Sequence, residues 1–203
     1  AYDYSGHGYN GTLTNGPTQT TTSYGERVLQ FDGTNDYVKT SAFSIPNQNG
    51  TLTISAWVNC TRQSFEQSMV SNYVGGYVNA VILYYRKPNS DTLSFYYVTG
   101  TTGNEALSAN FFAGYDNQYM LATVVADYNN RSIKFYRNGI QIGTTQNMTN
   151  PLFPNITRSI YIGSYTASNY FLKGSLDDIR IYNRGLSANE IAEIYNKTKT
   201  KYQ

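Results

Sequence analysis

Apolar and polar residues alternate along most of this chain, and Gly or Asn interrupts the alternation at intervals of roughly ten residues. A period of two is typical of short antiparallel strands that bury one face. The clearest strand has four apolar residues on one face, which we expect to meet the core: Leu52, Ile54, Ala56 and Val58. Its opposite face carries Thr53, Ser55 and Trp57.

The dipeptide Asn138-Gly139 predicts a tight hairpin. Both residues accept the positive φ angles of a type I′ turn, which joins two antiparallel strands. A two-residue loop fixes the register, so Phe135 should face Ile142 and Arg137 should face Ile140. One face of the hairpin should be apolar, with Ile133, Phe135, Ile140 and Ile142. The other face should be polar, with Lys134, Tyr136 and Gln141.

The C-terminus carries the one convincing helix signal. Ser187 and Glu190 form a Ser-x-x-Glu capping box, which marks the first turn of a helix. Apolar residues then recur at helical spacing, at Ile191, Ile194 and Tyr195. We expect a short helix that lies against the sheets.

Length and composition predict one all-β domain over residues 1–203, an antiparallel two-sheet β-sandwich. The net charge of +2 is spread without a basic or acidic run, which argues against nucleic acid and anionic membranes as partners. No apolar stretch reaches the roughly 18 residues of a membrane span. The polar start of the chain indicates that any signal sequence has been removed.

The numbers of cysteine and tyrosine residues narrow the class of protein further. Cys60 is the single cysteine, so an internal disulfide and a Cys-based zinc site are excluded, and we expect it to be buried. The 21 Tyr and the low charged fraction of 14% are typical of extracellular and envelope proteins. Sequons that suit glycosylated surface loops occur at Asn10, Asn49, Asn59, Asn130, Asn147, Asn155 and Asn196. A chain rich in Asn, Ser and Thr also contains several by chance, so their use stays open.

Residues 31–38 read FDGTNDYV and resemble the "FDG-x-x-DYV" strand of laminin G-like domains. Residues 53–58, TISAWV, and 135–139, FYRNG, are similar to later motifs of those domains and occur in the same order. Residues 171–187, FLKGSLDDIRIYNRGLS, resemble their closing strand and helix cap. The chain thus resembles the laminin G-like, concanavalin A-like lectin/glucanase superfamily, which implies a jelly-roll sandwich.

Two departures from the family pattern are visible. Residues 118–122 read QYMLA where the family has "W-H-x-V-A". The family's usual first strand, which ends in "E-x-SG", would lie before Ala1. An absent edge strand leaves backbone groups unpaired, so either the sheet tolerates an open edge or another chain supplies the strand.

The residues argue against catalysis. Hydrolases of this superfamily use an E-x-D-x-x-E strand with carboxylates about 5 Å apart, and no such motif occurs here. Asp177 and Asp178 are adjacent on a strand, so their side chains should point to opposite faces. Glu190 and Glu193 should cap and solvate the helix. His7, the only histidine, lies in a Gly-rich turn without an orienting partner, and we expect no enzyme.

The resemblance also implies a structural calcium site. Asp177 is similar to the Asp of the "D-x-V-R-V-Y" strand that binds calcium in related lectin-fold enzymes. Asp36 and Asp32, or Asp3, could contribute from the early part of the chain, because carboxylates are hard oxygen ligands. The alternative is that Asp178 and Asp32 accept hydrogen bonds from loop amides, a common role of short acids at strand ends.

A second hairpin, residues 81–85 and 92–98 around a turn at 87–91, carries the candidate ligand-binding surface. Alternation places Leu83, Tyr85, Phe95 and Tyr97 on the core side. The outer side then carries Tyr84, Arg86 and Tyr96. Exposed Tyr rings can stack on sugars while Arg supplies hydrogen bonds, although the same rings could simply pair across strands.

These observations favour a non-catalytic extracellular or cell-surface domain that recognises a glycan or a surface glycoprotein. The alternative is a structural subunit of an extracellular filament or virion, whose partners are copies of itself and whose missing strand comes from a neighbour. Composition and motifs leave both open, because this fold serves many unrelated functions.

Overall fold

Two seven-stranded antiparallel sheets enclose the main hydrophobic core in the computed structural model of the chain. The structure describes residues 1–45, 50–73, 80–84, 91–99, 102–149 and 156–203. In chain order the strands are β1 (Gly11–Thr14), β2 (Thr18–Thr21), β3 (Arg27–Asp32), β4 (Tyr37–Thr40), β5 (Phe43–Ile45), β6 (Thr51–Cys60), β7 (Ser68–Ser71), β8 (Ala80–Tyr84), β9 (Leu93–Thr99), β10 (Thr102–Ser108), β11 (Met120–Asp127), β12 (Ser132–Arg137), β13 (Ile140–Asn147), β14 (Ile156–Arg158), β15 (Tyr161–Ile162) and β16 (Lys173–Tyr182). Helix α1 (Ala188–Thr198) and a 3₁₀ turn (Lys199–Lys201) follow.

Sheet A has the strand order β1-β4-β15-β7-β8-β9-β10, and sheet B has the order β13-β12-β11-β6-β16-β3-β2. The strands β14 and β5 form a separate small pair. The predicted all-β sandwich with one short C-terminal helix is confirmed. No helix within the described ranges is long and apolar enough to cross a membrane.

Strand β6 lies at the centre of sheet B and shows why the alternation predicts the fold. Its predicted core face is buried in the main cluster with Leu52, Ile54, Ala56 and Val58. Its other face is also buried, because the C-terminal segment covers it. The Trp57 ring stacks on Tyr202 at 4.2 Å, and its Nε1 donates to Oγ1 of Thr198 at 2.9 Å. Both faces of β6 are therefore covered.

The Asn138-Gly139 hairpin forms with the predicted register. Both residues have positive φ, and Phe135 pairs with Ile142 as Arg137 pairs with Ile140. Two side chains differ from expectation. Ile140 is 70% exposed, because it lies beside the turn on edge strand β13. Tyr136 is buried on the predicted polar face, where Leu186 and Ile191 pack on it.

The predicted capping box begins α1. The Ser187 hydroxyl accepts from the backbone N–H of Glu190 at 3.3 Å, and the Ser187 N–H donates to the Glu190 carboxylate at 2.8 Å. Arg184 also pairs with that carboxylate at 2.7 Å. Together with Ser187, Arg184 lowers the pKa of Glu190 to about 2.

Strand β16 contains a bulge that sequence alternation does not predict. Asp177 pairs with Trp57, but Arg180 pairs with Ser55, so β16 has one more residue than β6 over this stretch. Asp178 has a φ of 45° and both carboxylate oxygens bind Arg180, each at 2.7 Å. The expectation that Asp177 and Asp178 alternate on a regular strand is therefore wrong, because the bulge interrupts the pleat.

Replacing Tyr202 should separate ring packing from its hydroxyl contact with Asp177. We expect Tyr202→Ala to lower the free energy of unfolding by about 3 kcal/mol, since it removes a stacked aromatic ring from Trp57. Tyr202→Phe keeps the ring and should cost only about 1 kcal/mol. Urea denaturation of both variants measures this difference. Equal losses would contradict the stacking role.

The depressed pKa of Glu190 predicts a pH dependence for the start of α1. A carboxyl whose pKa is lowered on folding stabilises the fold above its unfolded value, here 4.5, and loses that contribution as the pH falls towards about 2. In an NMR titration, the chemical shifts of the Glu190 carboxyl and the Ser187 amide should change together as the pH falls from 4.5 towards about 2. Glu190→Gln should abolish the transition at Ser187. Titration of Glu190 near its unfolded value would contradict the cap.

Candidate functional site

Four tyrosines from three segments of the chain meet on the outer face of sheet A. Tyr96 lies on β9, Tyr73 follows β7, and Tyr165 and Tyr170 lie in the loop between β15 and β16. Tyr73, Tyr96 and Tyr165 form one partly buried apolar group. The Tyr73 and Tyr165 rings are 4.7 Å apart, and Tyr165 and Tyr170 meet edge to face at 5.1 Å. We call these four residues the tyrosine cluster.

Strand alternation places Tyr96 in this cluster. Its neighbours Phe95 and Tyr97 are buried in the main core, as is Leu83 on the adjacent strand. Residue 96 must then point away from the core. The core side predicted for this hairpin is confirmed at these three positions. Tyr85 and the turn at 87–91 lie outside the described residues, apart from Asp91.

The loop that holds Tyr165 and Tyr170 is tied to itself and to β7. The Tyr165 N–H donates to the Asn169 carbonyl at 3.2 Å, and the Thr166 hydroxyl donates to the Asn169 side chain at 2.9 Å. The Tyr170 carbonyl accepts from the Ser68 N–H at 2.9 Å. These bonds fix the positions of the Tyr165 and Tyr170 rings relative to sheet A.

The floor beneath the tyrosine cluster is polar. Ser68, Ser71 and Ser94 are fully buried there, and Ser94 donates to the Glu105 carboxylate at 2.6 Å. Three buried polar atoms close to the cluster in sequence have no hydrogen-bond partner among the described residues: Ser68 Oγ, Asn72 Nδ2 and Ser164 Oγ. Buried polar groups normally find partners, so this floor has spare hydrogen-bonding capacity.

Burial raises the pKa of Tyr165, and the nearby Tyr73 hydroxyl raises it further. Burial likewise raises the pKa of Tyr170, with a second contribution from the Glu66 carboxylate. Both hydroxyls are therefore protonated at neutral pH and can donate as well as accept hydrogen bonds. Partly exposed rings with polar edges over a hydroxyl-rich floor can stack on a sugar face and bind its hydroxyl groups.

Of the three predicted ligand-binding residues, the structure places Tyr96 in the cluster. The Tyr84 side chain and Arg86 lie outside the described residues. Sequence reasoning missed Tyr73, Tyr165 and Tyr170, because each lies outside a regular strand and reaches Tyr96 only through the fold. The sequence signal that could have pointed to the loop tyrosines is the presence of three aromatic residues within positions 165–171.

Asp32 and Asp36, two of the predicted metal ligands, lie together in the turn between β3 and β4. The Asp32 carboxylate accepts from the Thr34 N–H at 2.7 Å. The Asp36 carboxylate is buried and accepts from the Asp32 N–H at 3.1 Å. Burial raises the pKa of Asp36. The Asp32 bond is the loop-amide contact expected as the alternative to calcium.

Asp177 lies apart from that turn. Asp32 pairs with Lys173, which is four residues from Asp177 along β16, or about 13 Å. Asp177 accepts a hydrogen bond from the Tyr202 hydroxyl. In the part of the chain that the structure describes, no three His, Cys, Asp or Glu side chains form a metal-binding group. Calcium at Asp177 or at the turn stays a prediction.

The described sequon asparagines differ in accessibility. Four of them are exposed: Asn10, Asn130, Asn147 and Asn196. Asn59 is half-buried and donates to the Asn117 carbonyl at 3.1 Å. Asn49 and Asn155 lie outside the described residues. Cys60 is a buried free thiol, as predicted.

A laminin G family model, described as the concanavalin A-like lectin/glucanases superfamily, matches residues 32–192. No curated protein sequence matches this chain.

Solved structures similar to this chain include toxin binding domains. The binding domain of botulinum neurotoxin serotype G has a TM-score of 0.73 at 13% identity, and the match covers 97% of this chain and 48% of that one. The binding domain of Paraclostridial mosquitocidal protein 1 gives 0.72 at 18%, with 97% and 49% covered. This chain therefore spans about half the length of those proteins, and at such identities the likeness shows the fold alone.

Proposed function

Because the chain belongs to the concanavalin A-like lectin/glucanase superfamily, we propose that it is a non-catalytic domain that recognises carbohydrate on an extracellular surface. The tyrosine cluster on the outer face of sheet A is the observation that carries this proposal. The similar solved structures are toxin binding domains, which supports a lectin-like binding role in general terms.

Carbohydrate suits this site better than an apolar ligand. The rings offer flat apolar faces, while the surrounding groups are hydroxyls and carboxylates, including Ser94 and Glu105. Sugars present the same combination, a C–H face and a rim of hydroxyls.

A glycan array with the purified protein tests this proposal. We expect binding to at least one glycan class, and we expect Tyr96→Ala and Tyr165→Ala each to weaken it by roughly fivefold or more, because a lost stacking contact costs about 1 kcal/mol. Tyr24→Ala is the matched control, since Tyr24 is an exposed tyrosine away from sheet A. Repeating the array with EDTA tests the calcium hypothesis. An equal loss in the Tyr24 variant, or no glycan bound, would contradict the proposal.

The second candidate is a structural subunit completed by a neighbouring copy. One observation favours it: part of β16 has no partner strand on one side within the described ranges. Light scattering after size-exclusion chromatography tests it. A monomer of about the sequence mass, 22.8 kDa, is the result expected for a recognition domain, whereas polymers or discrete assemblies would favour the subunit.

A further inference from the structure

One register position recurs through five neighbouring strands of sheet A, from β4 to β9. Its residues pair across the sheet in the order Lys39, Tyr161, Ser71, Ile82 and Tyr96. We call these five positions the cross-strand row. The row joins the tyrosine cluster, at Tyr96, to a part of sheet A that the proposed function does not yet use.

The row lies on the outer face of sheet A. In each of its strands, a residue next to the row position packs in the main core or against it: Val38, Val70, Val81, Phe95 and Ile162. Alternation therefore turns Lys39 and Tyr161 away from the core, as it does Tyr96. Neighbouring strands lie about 4.8 Å apart, so Tyr161 and Tyr96, three strand spacings apart, are separated by about 14 Å.

Lys39 and two tyrosines form a second group at the β4 end of the row. The Tyr37 and Tyr161 rings are 5.9 Å apart, and Nζ of Lys39 lies 5.6 Å from the centre of the Tyr161 ring. Both rings are half-buried, and Lys39 is exposed. Within the described ranges, no carboxylate forms an ion pair with Lys39. We call these three residues the Lys39 group.

The Lys39 group suits an anion better than a second stacked sugar. The ammonium of Lys39 already lies over the Tyr161 ring, so that ring is not a bare platform. An ammonium beside two phenol hydroxyls offers a positive charge and hydrogen-bond donors, and a carboxylate or a sulfate accepts from both. Since no described carboxylate pairs with Lys39, an anion bound here displaces no existing ion pair in that part of the chain.

The Tyr96 end of the row is a flat platform. A Cβ atom added at Gly103 of β10 would collide with the Tyr96 ring and its hydroxyl, so the ring lies directly on this glycine. An aromatic ring that lies on a glycine of the next strand presents its other face away from the sheet. The two ends of the row therefore differ in chemistry, with a stacking surface at Tyr96 and a cation at Lys39.

We propose that the ligand is a linear oligosaccharide with one anionic unit, which carries a carboxylate or a sulfate. This inference rests on the proposed function, because it extends the same binding face. A neutral unit stacks on the tyrosine cluster at Tyr96, the chain crosses the strands, and the anionic unit binds the Lys39 group. A pyranose unit is about as long as one strand spacing, so a chain of about four units reaches both groups. A neutral chain is held by the tyrosine cluster alone.

An array of matched linear oligosaccharides tests the inference on the native protein. Chains of two and of four units are compared in three forms: with a terminal uronic acid, with its carboxyl group reduced to the alcohol, and with a sulfate ester on that unit. Among four-unit chains, we expect an acidic form to bind about threefold to fivefold more tightly than the reduced form, the contribution of an exposed ion pair. Two-unit chains should show no such preference, because they do not reach from Tyr96 to Lys39.

Three variants test the assignment to Lys39. Lys39→Gln should abolish the preference for the acidic four-unit chains and leave binding of the reduced forms unchanged. Lys39→Arg keeps the positive charge and should keep the preference. Lys134→Gln is the matched control, since Lys134 lies on β12 of sheet B, and it should behave like the native protein. The acidic form that binds more tightly identifies the anionic group as a carboxylate or a sulfate.

The possible failures separate this inference from the proposed function. If reduced forms bind but acidic four-unit chains bind no better, or if the preference persists in Lys39→Gln, the anionic subsite is overturned and the proposed function stands. A preference that is equal in two-unit chains, or that Lys134→Gln also abolishes, indicates attraction to charge in general and overturns the subsite as well. If no form binds, the proposed function is overturned and this inference with it.

Discussion

The pairing of β16 with β6 is the constraint on which the rest of the structure depends. It joins the last strand of the chain to the centre of sheet B. On the outer face, Asp177 of β16 and Trp57 of β6 together hold Tyr202, so the C-terminal segment covers the sheet. The loop that leads into β16 carries Tyr165 and Tyr170 to sheet A. One strand thus positions both the tyrosine cluster and the C-terminal segment that covers β6.

Local signals in the sequence predicted most of the fold. The alternation of β6, the Asn138-Gly139 turn and the Ser187 capping box each depend on neighbouring residues, and all three form as expected. The bulge at Asp178 was not predicted, because an Asp with positive φ leaves no pattern in the sequence. The exposure of Ile140 was not predicted, since alternation predicts the face on which a side chain lies but not whether another layer covers that face.

The candidate site could be predicted only in part for a similar reason. Tyr96 followed from strand alternation, but Tyr73 and Tyr165 are far apart in the chain and meet only because β15 pairs with β7. The calcium prediction came from resemblance and grouped Asp177 with Asp32 and Asp36, which pairing sets about 13 Å apart. Contacts of this kind depend on how the strands pair, and they leave no local pattern in the sequence.

We propose that recognition occurs at the outer face of sheet A. NMR with isotope-labelled tyrosine rings, recorded while a pool of neutral oligosaccharides is added, tests it most directly. The account predicts shifts confined to Tyr73, Tyr96, Tyr165 and Tyr170, with Tyr24 unchanged. Shifts confined to tyrosines outside the cluster, such as Tyr9 and Tyr182, or no shift in any ring, would contradict this proposal.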